Sequence, residues 1–112
     1  MTYSRLDLAN EALDKLGLIG SGQGPDPDDT EKVLYRIDAF QAELRARELY
    51  TIADIEHIEP EAFMALAEYL AWFVQDKFAQ PKDETRRQRA EFLLLRIAST
   101  GPTGEAQDAS WF

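Results

Sequence analysis

The chain has 112 residues, 45% of them hydrophobic and 29% charged, with a formal net charge of −9. This length fits one domain and one core. The absence of cysteine excludes a disulfide framework, thiolate catalysis and cysteine-ligated zinc. The acidic balance weighs against avid nucleic-acid binding, which needs clustered cations.

Met1–Asp7 is polar and lacks the apolar stretch of a signal peptide, so the reading is a soluble chain of cytoplasmic origin. Charge is unevenly spread. Residues 1–76 carry net −10, residues 77–96 net +3 and residues 97–112 net −2. Such a split suits contact between unlike faces of neighbouring molecules, although a solvated acidic protein with one basic helix has the same composition.

Ser4 opens the first expected helix, with Asp7 three residues on as a capping box. Leu6, Ala9, Ala12, Leu13 and Leu16 form its apolar stripe. Gly17 stands where a left-handed residue ends a helix, and Leu18–Ile19 can fold back onto the last turn. Gly20–Gly24 (GSGQG) lacks the preceding strand and the lysine of a phosphate-binding loop, and reads as a linker. Asp26 then caps a second helix and Pro27 is its first residue. Asp28, Asp29 and Glu31 sit in its first turn, where the helix dipole favours anions; they lack the spacing of a calcium loop. Val33, Ile37, Phe40 and Leu44 give this helix a buried face to about Glu48.

Leu49–Pro60 is a connector whose Ile52, Ile55 and Ile58 either dock into the bundle or form a short extended segment. His57, the single histidine, has no partner set for a triad or a metal site and is expected at the surface. The most apolar stretch follows, Ala62–Val74 (AFMALAEYLAWFV), with Glu68 as its one charge. It is too short to span a membrane and is expected as a central helix from Glu61 to about Gln80, partly covered by another subunit. Pro81 breaks it. The last helix is expected from Asp83 to Ala98, with Leu93, Leu94 and Ile97 inward and Phe92 and Leu95 flanking. Its first half carries Arg86, Arg87 and Arg89, a locally unfavourable place for cations, so these residues either have a compensating partner or are solvated. From Ser99 the sequence turns small and polar, as expected of a segment that is disordered alone, yet it reaches Trp111–Phe112, which reads as a tether with an aromatic anchor. The expected fold is all-α: a four-helix bundle over 1–98 and an extended, partner-binding tail over 99–112.

The order of these features resembles the head-to-tail connector, or adaptor, proteins of tailed bacteriophages, close to the tail accessory factors of short-tailed phages. The residues that carry the likeness are LANEALDKLG, the glycine loop with its Pro-Asp start, DPDDTEKVLYRIDAFQAEL, Pro-Glu-Ala-Phe before LAEYLAWFV, and AEFLLLRIA with a tail after it. They span roughly residues 3–98. The resemblance implies a structural virion protein of the neck, made in the host cytoplasm. About twelve copies would form a ring under the portal protein and extend the DNA channel without binding DNA specifically or touching a membrane. The ring would present a platform for a tail or nozzle protein. It further implies that the C-terminal tail lies along the portal, with Trp111 and Phe112 docking there.

Subunit contacts are expected between the acidic second helix (Asp28, Asp29, Glu31) and the basic fourth helix (Arg86, Arg87, Arg89) of a neighbour. An acidic channel wall would let DNA slide rather than stick. Some short-tailed-phage relatives are linked with cell-wall hydrolysis, but no paired-carboxylate site is recognisable, because capping and solvation explain the acidic residues. No catalytic residue, cofactor or metal is expected. A helical interaction or regulatory module using the same tail on another partner is the main alternative, and a small enzyme subunit a third.

Overall fold

The computed structural model describes residues 1–20 and 22–99. These are helical: α1 (Arg5–Lys15), α2 (Pro27–Leu34), α3 (Ile37–Ala46), α4 (Pro60–Val74) and α5 (Glu84–Ser99), with a 3-10 turn at Gln75–Phe78. The expected second helix is thus broken into α2 and α3, so four helical segments hold five α-helices. One isolated antiparallel bridge joins Tyr3 to Ile58.

Local chemistry sets most boundaries. At α1 the Asp7 amide donates to Ser4 Oγ (3.1 Å) and the Ser4 amide donates to Asp7 Oδ2 (2.9 Å), closing the capping box. At its far end Gly17 has φ +74°. The Leu18 amide donates to the Leu13 carbonyl, and the Gly17 amide to that of Asp14. This is the Schellman arrangement, and it needs the left-handed residue that glycine supplies without strain. Asp26 Oδ1 accepts from the Asp28 amide at 2.9 Å to start α2.

The break at Tyr35–Arg36 has no proline or glycine to announce it. The Arg36 guanidinium takes the Lys32 carbonyl (2.9 Å), while the Arg36 amide turns to the Val33 carbonyl instead. A side chain that captures a ladder carbonyl in this way offsets the helix. Ile37, Phe40 and Leu44 still continue the buried face begun by Val33. α3 ends with Glu48 at φ +55° in the position Gly17 holds after α1, and the Leu49 amide donates to the Leu44 carbonyl.

α4 is the axis of the fold, with α1 and α5 packed against it. Ten of its fifteen residues are buried. The chain itself covers nearly all of the apolar run; Met64, half exposed, is the exception. α4 stops six residues earlier than the expected Gln80, since Gln75–Phe78 tightens to a 3-10 turn and Ala79 adopts φ +60°. Gln75 is buried and holds this corner. Its Nε2 donates to Gln80 Oε1 (3.1 Å), and its Oε1 accepts from the Asp83 amide (3.1 Å). Gln80 Nε2 in turn donates to the Leu16 carbonyl at the end of α1 (3.1 Å). Lys82 Nζ donates to the carbonyls of Trp72 and Phe73 and lies 4.1 Å from the Trp72 ring centroid. It thereby adds a cationic donor to the last-turn carbonyls of α4, that of Trp72 also accepting from the Gln75 amide.

Candidate interaction surfaces

The α5 cations divide by face. Arg86 points inward: Nη1 lies 3.3 Å from Glu68 Oε1, and Nη2 donates to the Lys15 carbonyl at 3.4 Å. Lys15 Nζ lies 3.3 Å from the other Glu68 oxygen. Glu68, the single charge in the apolar run, therefore sits between two cations and ties α1, α4 and α5 together. Arg87 bonds Glu84 and Glu91, and lies 5.8 Å from the Trp72 ring centroid. Glu84 first, and Glu91 with it, hold the Arg87 guanidinium above its usual range. Arg87 chiefly, helped by the Trp72 indole N–H, holds the Glu84 carboxyl below its own. Arg47 joins the same cluster through Glu43 and Glu91. These intrachain carboxylates compensate Arg86 and Arg87 for their place near a helix N-terminus.

Arg89 differs from both. It is exposed on the outward edge of α5, and no ion pair holds it among the described residues. Phe92 and Leu95 continue that edge at 61% and 49% exposure, while Ala90 and Leu94 are fully buried behind it. The Arg96 guanidinium lies 5.7 Å from the Phe92 ring centroid. This edge is thus apolar and cationic.

The acidic side of the molecule begins at α2. Asp28 and Glu31 are exposed and Asp29 is half-buried, all in or beside the first turn and without an ion-pair partner among the described residues. Thr30 behind them is buried, and its hydroxyl donates to Asn10 Oδ1 at 3.0 Å. Asn10 belongs to a groove of about 410 Å³ along α1. The rings of Tyr3 and Phe63, stacked at 4.0 Å, belong to its lining, and Asp7, Glu11 and Asp14 add carboxylates from one face of α1. The glycine loop reaches the groove through Gln23 and Pro25. The loop therefore faces carboxylates, the wrong sign for a phosphate.

His57 is two-thirds exposed in the connector, with Nδ1 2.9 Å from Asp54 Oδ2. The Glu56 amide, then His57, lower the Asp54 pKa. Among the described residues no group of three His, Asp or Glu side chains could hold a metal ion, and no helix is long and apolar enough to cross a membrane. Trp111 and Phe112 lie outside the described residues.

Within the chain, Arg86 pairs with Glu68, and Arg87 with Glu84 and Glu91. Comparison with protein-family models, with curated proteins and with solved structures gives no match.

Proposed function

We propose that this chain is a structural head-to-tail adaptor of a tailed bacteriophage. About twelve copies form a ring beneath the portal protein, lengthen the DNA channel and offer a docking platform to a tail or nozzle protein. The observation that carries the reading is a small helical domain with unlike charged faces: an acidic side over α1 and α2, and an outward α5 edge bearing Arg89, Phe92 and Leu95. Copies of one chain with such faces attract head to tail, and head-to-tail contacts close into rings when the rotation allows. Past α5 the sequence runs on to Trp111–Phe112, the proposed anchor on the portal. Within the ring, Arg89 is the α5 cation free to face a neighbour's acidic side, where Asp28, Asp29 and Glu31 stand; Arg86 and Arg87 brace α5 from within.

The test is binding to portal rings purified from the source of the sequence, comparing the full chain with one ending at Thr100. Full-chain binding in a ring, lost on shortening, is the expected result. Failure of both chains to bind overturns the reading and favours a helical interaction module acting on another partner.

A further inference from the structure

We propose that the outward edge of α5 docks into the acidic groove along α1 of a second copy, with Phe92 and Leu95 against the Tyr3 ring and Arg89 meeting Asp14. This deepens the ring reading above by naming its two faces, and it is testable without a portal.

The two faces match in three respects. The α5 edge offers apolar side chains one helical turn apart, more than half and nearly half exposed. The groove offers the partly exposed Tyr3 ring, stacked over the buried Phe63, and no α5 residue lines it, so the chain's own α5 does not fill it. The free charges are opposite. Asp7 is engaged at the Ser4 cap, and Glu11 lies 4.0 Å from Lys15. Asp14 is exposed, and like Arg89 it has no ion pair among the described residues.

Charge also selects the geometry. Two α5 edges face to face set Arg89 of one copy against Arg89 of the other. Two grooves face to face oppose carboxylates. Only edge against groove brings unlike charges together. That contact is heterologous, so each copy keeps one unused edge and one unused groove, and assembly continues until it closes. A neighbour seated there also lies beside α2, because Asn10 of the groove is bonded to Thr30 in the first turn of that helix.

Sedimentation velocity on the full chain, from about 10 μM to about 1 mM at low and high salt, tests this with two variants. The edge variant carries Phe92→Gln and Leu95→Gln, and the groove variant Glu11→Gln and Asp14→Lys. All four substitutions suit a helix, and Lys near the end of α1 suits its dipole. Unchanged circular dichroism and melting establish that each variant folds. The wild type is expected to self-associate, more weakly in high salt, and each variant alone at least tenfold less tightly. Mixed in equal amounts, the variants are expected to form a one-to-one pair that grows no further, since the mixture holds one intact edge and one intact groove.

A wild type that stays monomeric at about 1 mM in low salt overturns the proposal. So does either variant associating as well as the wild type, or a mixture that does not pair. Portal-bound rings formed equally well by both variants would remove this contact and leave the adaptor reading standing. The expected solution behaviour in a chain that ignores the portal would do the reverse.

Discussion

Tyr69 gives the sharpest test of the core. Its side chain is fully buried, stacked on Trp72 with centroids 5.4 Å apart and tilted against Phe40 at 5.9 Å. Among the described residues its hydroxyl has no hydrogen-bond partner. Tyr69→Phe keeps the ring and removes the oxygen. An unpaired buried hydroxyl costs about 1–3 kcal/mol, so phenylalanine should stabilise the fold at pH 7, by about 1 kcal/mol given the nearby Arg47 and Arg87 charges. Burial also pushes the phenol pKa up from 10.0 to about 12. The folded state therefore favours the neutral phenol. That contribution is complete below pH 10 and is lost as pH rises through 12. By pH 11 the wild type should have lost roughly 1.4 kcal/mol that the variant keeps. Urea unfolding of both proteins from pH 7 to pH 11 reads the two effects separately. A variant that is less stable at pH 7 by more than about 1 kcal/mol, with a gap that does not change with pH, would refute the reasoning.

Glu68→Gln removes the carboxylate between Lys15 and Arg86, whose side chains are 16% and 19% exposed. The site lies between a surface pair and a buried one, so the expected cost is about 2 kcal/mol. Adding Arg86→Met should recover part of it in a double-mutant cycle; a loss under about 0.5 kcal/mol would mean the triad is solvated in solution. Glu48→Gly relieves a left-handed residue at the end of α3, and should raise stability by about 0.5 kcal/mol after the extra backbone entropy of glycine. Glu48→Ala should bring no such gain, and equal melting temperatures for the Gly and Ala variants would contradict the strain argument.

Features written in neighbouring residues were the legible ones. The capping box at Ser4–Asp7, the turn at Gly17 and the Asp26–Pro27 start each act within a few residues, and each falls where the spacing puts it. The α2–α3 offset was not legible, because a guanidinium reaching back to the Lys32 carbonyl leaves no mark in composition. Nor was the early end of α4, since Gln75–Phe78 contains no breaker and the turn depends on Gln80 reaching α1. The candidate surfaces were half legible. Charge showed a basic last helix, but not which arginines it spends internally, because Glu68 lies eighteen residues from Arg86 in sequence. Phe92 and Leu95 flank the buried stripe in periodicity alone. Which of the two flanks faces outward is decided by how α5 rolls against α4.

The central claim, a ring adaptor under a portal, is tested most directly by imaging the portal complex of the source particle and determining the symmetry and position of this chain. The account predicts a closed ring of about twelve copies directly beneath the portal, with α5 of each copy against the α1 side of the next. A particle that lacks this chain at the neck, or carries it as isolated copies without ring contacts, would contradict it.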